Sequence, residues 1–304
     1  MATVGYIGNF LPPHSTENDI KYSLEKLGIN VIPYQESQPG VFNRVDSADF
    51  ILWTRTRWQN EDVKAQERML ERMHRYKTPV VGYHLDLWHG INRENELTTL
   101  PFFRSDLVIT ADGGHEKEFA DLGINHKWYL PAIKEAVRGE YREEFNHDLV
   151  FVGSWNGYHT EWPHRYELIK YLIKLNCKFY PEEGKQAIRG KDLADLYASA
   201  KIIIGDSLAL GTHYCSDRIP ETLGRGGYLI HPYVRGVYNV FKSRKHLDTW
   251  RLWDWDDLTK TIQTALINPD RRKTISDQGF EYVKNYHTYT NRMRDLLKDV
   301  EAIS

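Results

Sequence analysis

The stretch SDRIPETLGRGGYLIHP, residues 216–232, combines a helix start, a glycine-rich break and a short strand. Pro220 is tolerated in the first turn of a helix, and Arg218 and Glu221 project from one face near its beginning. A guanidinium and helix N-terminal amides suit phosphate, while a carboxylate one turn away can accept hydrogen bonds from two ribose hydroxyls. The stretch therefore predicts a nucleotide contact at the edge of an α/β sheet, with a surface salt bridge on an ordinary helix cap as the alternative.

Outward from this stretch, short apolar runs alternate with longer amphipathic segments from end to end. This alternation is typical of parallel strands covered by helices. The charged and weakly periodic residues 134–148 indicate a linker between two similar halves. We predict an α/β chain of two Rossmann-like domains that face a central cleft. The predicted boundaries are residues 1–135, residues 147–285, and a C-terminal helix over residues 286–304 that packs back toward the first domain across the junction.

Composition agrees with an ordinary globular protein, because 41% of the 304 residues are apolar and 27% are charged. The net charge of -2 supplies no global attraction to nucleic acid, so such a contact needs a local basic patch. Two cysteines without metal spacing argue against a structural zinc or a disulfide framework. The N-terminus has no basic leader and no run of about 18 apolar residues occurs, which predicts a cytoplasmic protein.

Several segments of the second half resemble a known family. They are VFVGSWNGYHTEWPHRYELIKYL, DLADLYASAKIIIGDS, the Arg218-x-x-Glu221 pair with GRGGYLI, and the tail GFEYVKNYHTYTNRM. These segments resemble the C-terminal glycosyl transferase domain of proteins related to the spore-maturation protein CgeB. The order of elements resembles a GT-B glycosyltransferase, closely in the second half and only in pattern in the first.

The resemblance implies that the second half grips the nucleotide of a sugar donor. Glu221 would hold the ribose hydroxyls, Arg218 would lie near the diphosphate, and the backbone of Gly153 and Ser154 would contact phosphate. Retaining members of such families usually add an arginine and a lysine soon after this glycine. Here Asn156, His159 and His164 come before Arg165, so the source of a second phosphate contact is open. Residues at strand ends are the remaining candidates for the nucleotide-sugar site. The full predicted set is Gly8, Asn9, Gly153, Ser154, Trp155, Tyr180, Ser207, His213, Tyr214, Arg218 and Glu221.

The implied reaction moves a sugar from a nucleotide diphosphate, with UDP favoured, onto a hydroxyl acceptor. Arginine and backbone amides can stabilise the leaving phosphate, so we expect neither a cofactor nor a metal site. The acidic run at residues 254–257 is interpreted as helix capping more readily than as a metal site. The acceptor is a glycan or a hydroxymethylated base of bacteriophage DNA. A nucleotide-sugar-binding protein without turnover and a nucleotide-sugar epimerase are the alternatives, and the chain is a monomer or a homodimer.

An inverting transferase needs a general base from the first half. His84 and Asp86 close the run TPVVGYHLD and share one face of an extended segment, so the carboxylate can orient the imidazole. Asp112 follows the next strand and is a further candidate. Each has a structural alternative, such as helix capping or turn chemistry. A retaining mechanism needs no such base, because the phosphate of the donor can receive the proton.

The acceptor side is predicted from two loops. His14 lies in the first long loop, where Ser15 or Thr16 as a helix cap is the structural alternative. Arg55 and Trp58 belong to WTRTRW, which mixes cations with an aromatic ring and suits a phosphorylated or nucleic-acid acceptor. The alternative for this run is a solvated strand end.

Overall fold

The computed structural model describes residues 2–55, 62–154, 162–182, 185–207 and 213–303. Contacts between residues divide the chain into two units, which are Met1–Leu130 with Tyr289–Ser304, and Pro131–Thr288. Each unit is α/β and contains one parallel sheet. The predicted α/β class with two Rossmann-like domains is confirmed.

The sheet of the first unit has six parallel strands in the order β2-β1-β3-β4-β5-β6. Its strands are β1 (Thr3–Gly8), β2 (Asn30–Gln35), β3 (Phe50–Thr54), β4 (Val80–His84), β5 (Leu107–Thr110) and β6 (His126–Trp128). All five residues of the central β3 are buried. Continuous apolar burial is expected where helices cover both faces of a parallel sheet.

Helices pack on this sheet through apolar residues at helical spacing. They are α1 (Thr16–Lys26), α2 (Val41–Arg44), α3 (Val63–Tyr76), α4 (Glu96–Thr99), α5 (Glu116–Asp121) and the last helix of the chain, α12 (Tyr289–Ile303). In α3, Ala65, Met69 and Met73 recur every four residues and are all buried in the core. Helix α12 packs against α1, so the end of the chain belongs to the first unit.

The sheet of the second unit has five parallel strands in the order β11-β10-β9-β7-β8. The strands are β7 (Val150–Val152), β8 (Lys178–Tyr180), β9 (Ile203–Ile204), β10 (Leu229–Pro232) and β11 (Asp248–Trp250). The helices are α6 (His164–Lys174), α7 (Gly190–Ser199), α8 (Arg218–Gly224), α9 (Arg235–Val240), α10 (Trp255–Ile267) and α11 (Pro269–Tyr286). Because the strands are parallel, the loops that follow them meet at one edge of the sheet.

The segment predicted as a linker packs on the second unit. The backbone N–H of Glu140 donates to Asp195 Oδ1 at 2.8 Å, and that of Arg142 donates to Ser199 Oγ at 2.8 Å. Both acceptors lie on α7. Periodicity could not reveal this packing, since the segment is held through its backbone by side chains remote in sequence.

In the described ranges, no helix combines the length and the apolar character that crossing a bilayer requires.

Candidate active site

The turn after β7 is the point where the predicted phosphate contacts meet. Gly153 has φ of +155°, a backbone conformation that side chains disfavour. A Cβ atom there would lie 2.7 Å from Nη2 of Arg218, so only glycine lets the guanidinium approach the turn this closely. Nε of Arg218 donates to the carbonyl of Val152 at 2.9 Å. The first residue of α8 thus contacts the end of β7, although 66 residues separate them in sequence.

A second guanidinium reaches the same turn from α6. Nη1 of Arg165 lies 3.3 Å from Oγ of Ser154, and Nε of Arg165 donates to Oδ2 of Asp206 at 2.8 Å. Asp206 follows β9 and accepts another hydrogen bond from Nδ1 of His164 at 3.1 Å. The predicted site set omits Arg165, which supplies the second positive charge at the Gly153–Ser154 turn.

Asp206 is a buried anion that holds the side chains of Arg165 and His164 in place. Its side chain is 0% exposed. Burial raises the pKa of Asp206, but the hydrogen bond from His164 and the charge of Arg165 outweigh burial and lower the pKa to about 2. Asp206 is therefore ionised at neutral pH. An ionised carboxylate only accepts, so Nδ1 of His164 carries the proton that it donates.

Helix α8 is seven residues long and begins at Arg218. Asp217 is its N-cap and makes no capping hydrogen bond through its side chain. Glu221 lies in the first turn with its Oε2 atom 3.7 Å from Nε of Arg225. Arg218 contacts the β7 turn and also lies 3.7 Å from Oδ1 of Asp217, so the stretch contains both the turn contact and ion pairs of the kind that the alternative predicted.

The other predicted donor residues of the second unit lie around the same edge of its sheet. The carbonyl of Tyr180 accepts from the N–H of Gly153 at 2.9 Å, and its hydroxyl lies 3.2 Å from Nε2 of His147. Ser207 is buried after β9, while His213 and Tyr214 are half-buried before α8. Trp155 lies outside the described residues. The nucleotide contacts of these residues remain predictions.

His231 at the end of β10 was not predicted. Its Nδ1 atom is 2.8 Å from the carbonyl of Pro232, which fixes the proton on Nδ1. Burial lowers the pKa of His231 to about 4, so its ring is neutral at pH 7. The unprotonated Nε2 has no hydrogen-bond partner within the described residues. The sequence did contain a signal for His231, because a histidine stands at the end of a run predicted to be a buried strand.

In the first unit, His84 at the end of β4 has a fixed tautomer. Its Nδ1 atom is 2.5 Å from the carbonyl oxygen of Arg55, and because a carbonyl only accepts, Nδ1 carries the proton. Burial lowers the pKa of His84 to about 4 despite the nearby charge of Asp86. Nε2 is therefore a buried, unprotonated acceptor at neutral pH, without a hydrogen-bond partner in the part of the chain that the structure describes. This is the state a general base requires.

Asp86 does not orient His84 as predicted. Its Oδ2 atom pairs with Nη2 of Arg93 at 3.0 Å, and its Oδ1 atom accepts from the N–H of Leu87 at 2.9 Å. The carbonyl of Arg55 orients the imidazole instead. A backbone acceptor from a neighbouring strand leaves no signature in the sequence, which explains the error.

Arg55 is neither a solvated strand end nor a cation open to an acceptor. The residue is 5% exposed, and its Nη1 atom lies 3.7 Å from Oε2 of Glu96. Arg55 and Arg93 both lie over the ring of Trp88, at 5.7 and 5.1 Å from its centroid. Arg55, Arg93 and Trp88 therefore pack together beside His84. Trp58 lies outside the described residues.

The contacts of Asp112 favour a structural role over the predicted catalytic one. Its carboxylate accepts from the N–H groups of Trp88 and His89, both at 2.9 Å, and from Oγ1 of Thr110 at 2.7 Å. The residue is 1% exposed. Its oxygens are thus occupied in holding the loop after β4, where an acceptor hydroxyl cannot reach them.

The loop after β1 contributes a buried acid. Gly8 packs against Glu17, since a Cβ on the glycine would lie 2.8 Å from Cγ of that residue. Oδ1 of Asn9 accepts from Nε2 of Gln35 at 3.1 Å. Ser15 caps α1 through the N–H of Asn18, as the structural alternative for this loop predicted, and His14 is exposed. Burial raises the pKa of Glu17.

The acidic run before α10 caps that helix. Oδ1 of Asp254 accepts from the N–H of Asp257 at 2.9 Å, and Oδ2 of Asp257 accepts from the N–H of Arg251 at 2.7 Å. The capping interpretation of this run is confirmed. Among the residues that the structure describes, no group of three potential metal ligands comes together.

A family model described as glycosyl transferase-like matches residues 130–298 of this chain. The chain therefore belongs to the glycosyl transferase-like family. Its fold is that of the GT-B glycosyltransferases.

Three solved structures illustrate this likeness. Sucrose-phosphate synthase of Thermosynechococcus elongatus has a TM-score of 0.68 at 10% identity, with 100% of each chain covered. The Anabaena protein HepE in complex with UDP and glucose has a TM-score of 0.64 at 14% identity, covering 98% of this chain and 100% of its own. An alpha-glucosyltransferase in complex with UDP and a 13-mer DNA containing an HMU base has a TM-score of 0.69 at 9% identity, covering 99% of each. No curated protein matches this chain in sequence.

Proposed function

We propose that this chain is a hexosyltransferase that moves a sugar from a UDP-sugar to a hydroxyl acceptor, within the CgeB-like group of its family. The observation that carries the proposal is the meeting of Arg218 and Arg165 at the Gly153–Ser154 turn. Two guanidiniums at a glycine turn suit a diphosphate, since arginine forms charge-assisted bonds to its oxygens. The similar structures with bound UDP support the choice of nucleotide.

The two guanidiniums also supply the positive charge that the leaving diphosphate requires. Negative charge grows on the diphosphate as the bond to the sugar breaks, and fixed positive groups stabilise that charge without reorganisation. We propose that Arg218 and Arg165 do this without a metal ion. Asp206 keeps Arg165 in place through its 2.8 Å contact, and Glu221 remains the candidate for the ribose hydroxyls.

On the acceptor side, we propose His84 as the general base. Its Nε2 atom is unprotonated at neutral pH because Nδ1 donates to the carbonyl of Arg55. Nε2 is buried, so an acceptor hydroxyl reaches it only by displacing the groups that cover it. Proton transfer from the acceptor hydroxyl to Nε2 would accompany attack on the sugar. The acceptor is a glycan or a hydroxymethylated base in DNA, and the DNA complex of a similarly folded protein supports the second class.

Release of UDP tests the proposal. The protein is incubated with UDP-glucose, with and without glycan and hydroxymethylated DNA acceptors, and in the presence of EDTA. We expect acceptor-dependent UDP release that EDTA leaves unchanged, because the arginines provide the positive charge. UDP-glucose that binds but is never turned over would identify a binding protein. A product that is an isomeric nucleotide sugar would identify an epimerase, and EDTA-sensitive release would contradict the metal-independent mechanism.

A further inference from the structure

The segment YVRGVYNVFKSRKH, residues 233–246, follows β10 and contains α9 and a tight turn. We call it the basic segment. It carries four cations and no acidic residue. The four cations are all exposed to solvent, and they are Arg235, Lys242, Arg244 and Lys245.

No carboxylate of the described residues pairs with the basic segment. Within the described residues, none of its four cations has a carboxylate within 4.0 Å. Elsewhere on the unit, Lys170, Lys201 and Lys273 pair with carboxylates at 3.2, 2.7 and 2.6 Å. The next acidic residue along the chain, Asp248, is buried and pairs with Arg271 at 2.6 Å. The basic segment therefore presents a cluster of positive charge to solvent.

Backbone hydrogen bonds hold the turn that presents three of these cations. The N–H of His246 donates to the carbonyl of Lys242 at 2.9 Å, and that of Arg244 donates to Leu247 at 2.7 Å. Arg244 has φ of +62°, a strained conformation for a residue with a side chain. Burial, followed by the charges of Lys245 and Lys242, lowers the pKa of His246 to about 4. The backbone that carries Lys242, Arg244 and Lys245 is thus held in one turn.

Two exposed aromatic rings accompany the charges. Tyr233 is 43% and Tyr238 is 38% exposed, and their ring centroids lie 5.2 Å apart. Rings on a positive surface offer stacking faces to bases or sugars, which adds to phosphate attraction.

The basic segment packs against His213, one of the predicted donor residues. The ring of His213 occupies the space that a side chain on Gly236 would need, so α9 packs directly on this predicted donor residue. The segment also follows β10, whose end lies at the same edge of the sheet as the Gly153 turn. A polymer on the segment would lie beside the sugar donor.

We propose that the basic segment binds the phosphate backbone of DNA, and that the sugar acceptor is therefore a base in DNA. This inference rests on the proposed transferase function and names its acceptor class. Closely spaced lysines and arginines match the regular phosphates of a duplex. The net charge of -2 does not oppose such binding, because the contact is local.

Fluorescence anisotropy with a labelled DNA duplex, titrated at several KCl concentrations, tests the inference. The variant Lys242→Gln with Lys245→Gln loses two of the four charges. We expect its affinity to fall by about tenfold or more, and the slope of log K against log salt to become shallower by roughly 1.8, at about 0.9 for each phosphate that the protein no longer neutralises. Addition of Arg244→Asn should weaken binding further, and asparagine tolerates the left-handed backbone there.

Lys174→Gln with Lys260→Gln is the matched control, since both lysines are exposed on the same unit and the net charge changes equally. This control should bind DNA like the unaltered protein. Equal affinity and slope for the Lys242 and Lys245 variant, or no salt-dependent binding by the unaltered protein, would overturn the inference. Binding of UDP is measured in parallel. Failure to bind DNA while UDP still binds removes only the DNA inference, whereas failure of the unaltered protein to bind UDP removes the proposed function.

Discussion

The variant His84→Gln is expected to transfer sugar about 10²–10⁴-fold more slowly than the unaltered protein, with its affinity for UDP unchanged. Glutamine is uncharged and similar in size to histidine, but its amide cannot take a proton from the acceptor. Single-turnover rates with saturating UDP-sugar and acceptor measure the effect.

The pH dependence follows from the same side chain. The base form of His84 exists above its pKa, and burial lowers that pKa to about 4. We therefore expect kcat/KM to rise as pH increases through about 4 and to stay level across neutral pH. An imidazole with an ordinary pKa would place this limb near 6.5.

His126→Gln is the control for this experiment. Burial also lowers the pKa of His126 to about 4, and its Nδ1 atom likewise has no hydrogen-bond partner within the described residues, but the residue belongs to β6, two strands away from β4 in the sheet. We expect this variant to transfer sugar at nearly the unaltered rate. A rate for His84→Gln within threefold of that control would contradict the role of His84 and favour proton acceptance by the donor phosphate.

The variant Asp206→Ala is expected to lower the free energy of unfolding of the second unit by about 3 to 5 kcal/mol. The substitution removes a buried carboxylate and leaves the guanidinium of Arg165 and the Nδ1 proton of His164 without their acceptor. It should also weaken UDP binding, because Arg165 loses the interaction that positions it beside Ser154. Urea unfolding and UDP titration of the same preparation measure both effects.

Asp277→Ala provides the comparison. Asp277 also contacts two cations, Arg138 at 2.8 Å and Lys273 at 2.6 Å, but its side chain is 41% exposed. Exposed ion pairs contribute about 0 to 1 kcal/mol, so little stability should be lost. If both variants lost equal stability, the buried network around Asp206 would not stabilise the second unit more than a surface ion pair does.

The sequence predicted the fold well because its signals are local. Apolar runs and helical spacing require only neighbouring residues, as in β3 and in Met69 and Met73 of α3. Gly153 and Arg218 were predicted to share one site because the loops after parallel strands meet at the same edge of the sheet. Their close approach in the structure agrees with that expectation, while their contact with a nucleotide remains a prediction.

The errors concern contacts that exist only in the folded chain. Arg165 and Asp206 are 41 residues apart, and no periodic pattern joins them. The pairing of Asp86 with Arg93 depends on side-chain conformation, so the simpler pairing with His84 was predicted instead. Asp112 follows a strand like a catalytic residue, yet its oxygens are filled by backbone N–H groups that only the folded loop presents.

The most direct test of the nucleotide-sugar site is a thermal-shift measurement with UDP, UDP-sugars and other nucleotides. A ligand that binds the native state raises the melting temperature, and more so the tighter it binds. We predict that UDP and at least one UDP-sugar raise the melting temperature of the unaltered protein, that Glu221→Ala reduces the shift, and that Arg165→Ala with Arg218→Ala abolishes it. An equal shift in the arginine double variant, or no shift with any nucleotide in the unaltered protein, would contradict the proposed site.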